Sequence, residues 1–209
     1  MNSILADVKP VVWVKWKNRE PNANPLARSG HTITLFNGKF VLFGGTVNGL
    51  DDPNIKKVCP ANDMWILDIY QKNTYGWSKL SPKGDIPPPR SNHTATTVKK
   101  NGKDEFILFF GGLGENGKLN DTFRYDFSEQ KFTMYNKIPM DDKTQCPAPR
   151  NGHACCCYEG KVYLFGGNGG RGYENSIFKD LWCFDPVEGK WEEIMYKENP
   201  TYPELRTCH

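Results

Sequence analysis

Three histidines recur at near-equal intervals in this chain: His31, His93 and His153, with spacings of 62 and 60 residues, and His209 follows 56 residues further on. Imidazoles repeated in this way can converge as metal ligands. Each stands three residues after an arginine (Arg28, Arg90, Arg150, Arg206), whose fork of five donors suits a carboxylate or a carbonyl. Carboxylates recur too, at Asp63, Asp121 and Asp180. Gly112-x-Gly114-x-x-Gly117 and Gly167-x-Gly169-x-x-Gly172 both have the glycine spacing of a dinucleotide fingerprint, and Cys155, Cys156 and Cys157 stand side by side.

Each of these has a plainer reading. A dinucleotide site needs a strand before the glycines and a helix after them, to present a positive helix end to the phosphate. Neither stretch opens a helix, and both fall at one point of a repeat, so turn glycines are expected. The histidines share that period and begin inner strands, where each ring can bond a neighbouring repeat's backbone. The arginines are expected to fork onto carbonyls or carboxylates between repeats, and the aspartates read as turn and strand-start residues. Seven cysteines without C-x2-C spacing point to reduced thiols rather than a zinc site or a disulfide scaffold. No G-x-S-x-G or comparable signature appears. No catalytic residue, cofactor site or metal site is assigned.

Composition narrows the class. The 209 residues are 38% hydrophobic, 13% aromatic and 24% charged, so a packed core is within reach. The net charge of +3 is spread among acids, which argues against nucleic acid as a partner. No apolar run approaches the ~20 residues of a membrane helix, and the N-terminus lacks a signal-peptide core. A soluble protein of the cytoplasm or nucleus is expected.

The elements that position these residues are three copies of one pattern. RSGHTITLFNGKFVLFGG starts at Arg28, RSNHTATTVKKNGKDEFILFFGG at Arg90 and RNGHACCCYEGKVYLFGG at Arg150. In each, R-x-x-H leads into a strand, an Asn-Gly or Glu-Gly turn, an apolar strand and a double glycine: Gly44-Gly45, Gly111-Gly112 or Gly166-Gly167. A polar loop and one of the aspartates follow, then an aromatic pair: Trp65/Trp77, Phe123/Phe132 or Trp182/Trp191. The pattern predicts a four-stranded antiparallel sheet per copy and almost no helix. In the third copy the strands are expected over 154–158, 161–165, 181–184 and 191–195. One such sheet cannot bury both its faces; copies stacked around an axis can.

These motifs resemble the kelch family of β-propellers, in its long-loop form, over residues 11 to 209. The resemblance implies an all-β kelch propeller: a partial ring of three complete four-stranded blades (28–81, 90–137, 150–196), the start of a fourth at 203–209, and an orphan outer strand at 11–16. Propellers hold 4–8 blades, so the chain reads as a piece of a longer protein, with self-association through its open faces expected. The family binds ligands on loops that enter the inner strands and loops that follow the double glycines. Here these carry Ser29, Ser91, Asn92 and Asn151, then Thr46, Asn48, Glu115, Asn116, Asn168 and Arg171. The resemblance implies a non-catalytic interaction module for a protein or peptide, acidic side chains being suited to Arg171. Two alternatives are the regulatory N-terminal part of a kelch-bearing Ser/Thr phosphatase and a propeller enzyme with its own metal. Membranes are not an expected partner.

Overall fold

The structure, a computed structural model, describes residues 12–21, 23–48, 58–135, 146–170, 176–195 and 203–208. Local turn chemistry sets its hairpins. Asn37-Gly38, Asn101-Gly102 and Glu159-Gly160 all take positive φ at both positions, between 46° and 78°, as a type I′ turn demands. Each turn joins the first two strands of a blade. Blade 1 contains β1 (Thr32–Phe36), β2 (Lys39–Phe43), β3 (Met64–Tyr70) and β4 (Thr74–Leu80). Blade 2 contains β5 (Thr94–Lys100), β6 (Lys103–Gly114), β7 (Gly117–Asp126) and β8 (Lys131–Met134). Blade 3 contains β9 (Ala154–Tyr158), β10 (Lys161–Phe165), β11 (Leu181–Asp185) and β12 (Lys190–Glu193). All neighbours within a blade pair antiparallel in chain order, and no helix occurs among the described residues.

Two additions lie outside the repeat pattern. Lys17–Asn18 pairs parallel with Thr74–Tyr75 of β4, and Lys83–Gly84 pairs parallel with Lys131–Phe132 of β8. The segment leading into a blade thus fastens that blade's outer edge and covers backbone groups that would otherwise be open. The outer strand expected at 11–16 is not formed over residues 12–16, where Trp13 is 94% exposed. The strand expected there would complete a blade whose other strands are not among the described residues; within the chain, pairing begins at Lys17.

The core lies between blades. Period-2 alternation gives every blade two faces. The front of blade 1 (Phe36, Val41, Phe43, Met64) packs on the back of blade 2 (Ile107, Phe109, Phe123, Tyr125, Phe132). The front of blade 2 (Val98, Phe106, Leu108, Phe110) packs on the back of blade 3 (Val162, Leu164, Trp182, Phe184, Trp191). Ring contacts cross both seams: Phe43 lies edge-on to Phe109 at 5.0 Å and Phe110 to Trp191 at 4.9 Å. Nothing described covers the back of blade 1, where Ile33 and Leu35 are each 52% exposed, or the front of blade 3 with Tyr158.

The tail from 203 to 208 starts another unit. Gly167 N–H donates to Arg206 O at 3.0 Å, as Gly45 N–H donates to Arg90 O at 2.8 Å two blades earlier. Cys208 N–H then donates to Gly152 O, repeating the bond from Asn92 N–H to Gly30 O.

Candidate functional site

The loop face rises from a rigid base inside each blade. In blade 2, the Arg90 guanidinium is fully buried and donates to both Asp121 carboxylate oxygens at 2.6 and 2.7 Å, and to Gly111 O at 2.9 Å. Arg28 grips Asp63 and Gly44 O, and Arg150 grips Asp180 and Gly166 O, in the same geometry. The forks therefore close within a blade, where the sequence suggested bonds between blades. Each ties the start of the inner strand to the start of the third strand across the double glycine. Trp65 and Trp182 add their indole N–H to the same carboxylates at 2.6 Å. Burial pushes the Asp63 and Asp180 carboxyls up, but hydrogen bonds from Arg28 or Arg150 and from the indole outweigh it, and both stay below the ordinary carboxylate range. These carboxylates are paired and hold the fold.

The histidines are absorbed the same way. Thr32 Oγ1 shares a 3.0 Å hydrogen bond with His93 Nε2, and Thr94 Oγ1 shares one of 3.0 Å with His153 Nε2. Each ring joins its blade to the one before through a threonine hydroxyl, not through the expected backbone. Burial first and the Arg90 charge second hold His93 well below 6.5, so it stays neutral. Burial likewise pushes the Cys155 thiol up to about 12 while Thr94 bonds its Sγ, so it is no ready thiolate. All seven cysteines are free. Among the described residues no group of histidine, cysteine and carboxylate side chains could hold a metal. Gly112 to Gly117 spans the β6–β7 hairpin, a context without the helix that a dinucleotide needs.

Above this base stand small antiparallel ribbons. In blade 1, Arg28–Ser29, Thr46–Asn48 and Val58–Pro60 form one; in blade 3, Arg150–Asn151, Asn168–Gly169 and Ser176–Ile177 form another. Blade 2 reaches the same height by extending β6 and β7, with Ser91 bridged to Leu113. Ser29, Asn48, Asn92, Glu115 and Asn116 are exposed there, and Thr46, Asn151 and Asn168 are half-buried. Ser91 is 4% exposed, and its backbone N–H and C=O both bond to Leu113. Arg171 lies outside the described residues. Sequence reasoning missed Lys118, which crosses from blade 2 to donate to Gly169 O at 2.8 Å. Nothing in the repeat marks that cross-blade reach, because the residue sits in the extension of the β6–β7 hairpin that the other two blades lack.

Comparison with known proteins agrees with this architecture. The family pattern described as the KLHDC2/KLHL20/DRC7 Kelch-repeats domain matches residues 3–101 and 30–209. An F-box/kelch-repeat protein of Arabidopsis thaliana is 33% identical over 203 residues, covering 92% of this chain and 38% of that protein. Host cell factor 2 of Homo sapiens is 31% identical over 160 residues, 75% of this chain and 19% of that protein. The flagellar outer-arm dynein alpha chain of Chlamydomonas reinhardtii is 30% identical over 90% of this chain but only 4% of its own length. The chain thus spans well under half of these relatives. It belongs to the kelch-repeat family, and its fold is a partial kelch propeller.

Proposed function

We propose that the chain is a non-catalytic protein-interaction module that receives a peptide or protein segment on its loop face. The observation that carries this is the set of exposed polar side chains, Ser29, Asn48, Asn92, Glu115 and Asn116, held on hydrogen-bonded ribbons above buried arginine–aspartate pairs. Polar groups whose backbone is already fixed lose little entropy on binding. A preference for acidic or polar segments rests on Arg171, flanked by glycines in the sequence Gly169-Gly170-Arg171-Gly172. The free thiols suit a reducing compartment, which supports the cytoplasm as its place of work.

A displayed peptide library, selected on the 209-residue chain, supplies the probe. For a selected peptide, Asn48→Ala, Asn116→Ala and Arg171→Ala are expected to weaken binding about tenfold, a typical cost for a peptide anchor. Lys72→Ala, at the β3–β4 turn on the opposite rim, should leave it unchanged. Binding that depends on Lys72 and ignores the three loop residues overturns the reading.

A further inference from the structure

The two seams inside the molecule follow a pairing rule. On each front face, one cross-strand row lies at the upper edge: Thr32–Phe43–Met64 in blade 1, Thr94–Phe110–Thr122 in blade 2 and Ala154–Phe165–Leu181 in blade 3. The first residue of the row meets the next blade's histidine, as Thr32 meets His93 and Thr94 meets His153. The third residue answers the next blade's outer aromatic. Trp191 of blade 3 donates its indole N–H to Thr122 Oγ1 at 3.0 Å. Blade 2 carries Phe132 at that place, with no donor, and the row before it ends in Met64 within the same buried cluster. Donor meets hydroxyl, and ring without a donor meets thioether, as expected if a buried indole N–H must find an acceptor.

Blade 1 presents the same two groups with no blade before it among the described residues. The Nε2 that bonds a threonine hydroxyl in His93 and His153 has no hydrogen bond in His31 among the described residues, and neither has the Trp77 indole N–H. Around them lie Ile33, Leu35, Trp65 and Leu67 in the rows that the seams bury elsewhere. We propose that this open back face of blade 1 docks a four-stranded blade of the same repeat type whose upper row reads hydroxyl–aromatic–hydroxyl, the first hydroxyl meeting His31 and the second meeting Trp77. Blade 3 of a second copy is not that occupant. Its row, Ala154–Phe165–Leu181, has the aromatic and neither hydroxyl. The self-association expected from open faces thus lacks the polar half of the interface.

Installing the missing hydroxyls turns the chain into its own probe. In the Ala154→Thr/Leu181→Thr variant, each copy carries both the docking face and a matched row, so two copies can close head to tail. The incoming 28–31 segment would make with Gly167 and Gly152 the backbone bonds that the 206–208 tail now makes, so displacing the tail gives up only the Thr207 Oγ1 bond to Gly152 O. Sedimentation equilibrium should show dimerisation at least tenfold tighter than in the unaltered chain, since closure makes two seams with two new hydrogen bonds in each. Adding Trp77→Phe or His31→Ala should remove a large part of that gain. Circular dichroism and melting establish folding, and Ala154→Ser/Leu181→Ser replaces the threonine pair should it not fold. A hydroxylated variant that dimerises no better than the unaltered chain, or a gain indifferent to both Trp77→Phe and His31→Ala, overturns the proposal.

Discussion

Arg150 has no exposed surface and spends its donors on Asp180 and Gly166 O, so a substitution acts on what is left behind. Arg150→Ala strands a half-buried carboxylate and a carbonyl, and should lower unfolding stability by about 3–5 kcal/mol in a denaturant titration. Arg150→Lys should recover little, because a point charge cannot serve two carboxylate oxygens and a carbonyl in one plane. The histidines predict a pH dependence. His93 is held neutral in the fold, its pKa well below 6.5, with burial the main cause and Arg90 the second. Above pH 6.5 neither state binds the proton; below it the unfolded chain gains a proton that the folded chain refuses, so stability falls as pH drops toward the folded value. Asp63 and Asp180, depressed from 3.8, contribute stability above that value that is lost in stronger acid. His93→Gln should flatten the part near pH 6, and an unchanged slope there would remove His93 as its cause. Pairing partners were the part of this scale hidden from sequence: Arg90 and Asp121 lie 31 residues apart, and spacing alone does not say that they meet.

The double glycines show why the repeat is written as it is. A Cβ on Gly167, at φ +98°, would stand 2.8 Å from His153 Cβ and 3.0 Å from Asn151 O; Gly45 meets His31 and Gly112 meets His93 in the same way. Gly167→Ala should therefore cost about 2–4 kcal/mol, combining left-handed backbone strain with a clash against backbone. Gly38→Ala, with positive φ but nothing within 4 Å, should cost only about 1 kcal/mol. Equal losses in the two melts would mean that strain alone decides. At this scale the hairpins, the double glycines and the aromatic pairs were legible, because each repeats in the chain with its turn chemistry. In blade 3 the strands at 154–158 and 161–165 appear where the alternation put them. The parallel fastenings at Lys17–Asn18 and Lys83–Gly84 were not legible, since two backbone pairings leave no side-chain pattern to read. Ser91 aligns with Ser29 in sequence, and the extended β6–β7 hairpin, to which Ser91 is bridged, leaves Ser91 buried where Ser29 is exposed.

For the whole molecule, burial is distributed unevenly, and stability in a repeat array is a sum of units and nearest-neighbour seams. Among the described residues blade 2 has both faces covered, and blades 1 and 3 each have one. Tyr125, with burial and the nearby Asp126 pushing its phenol to about 12, lies in the seam between blades 1 and 2. Opening blade 3 uncovers the Trp191 and Trp182 seam but leaves the first seam intact, and opening blade 1 does the converse. Opening blade 2 loses both. Amide hydrogen exchange in the native state should thus rank β5, β6 and β7 as the slowest elements, with β1 and β12 exchanging through separate, cheaper openings. Trp191→Phe, which removes the bond to Thr122, should speed exchange in blade 3 with little effect on blade 1. If all three blades exchange at one common rate, and Trp191→Phe speeds them together, the molecule opens as a single unit and its seams are not separable.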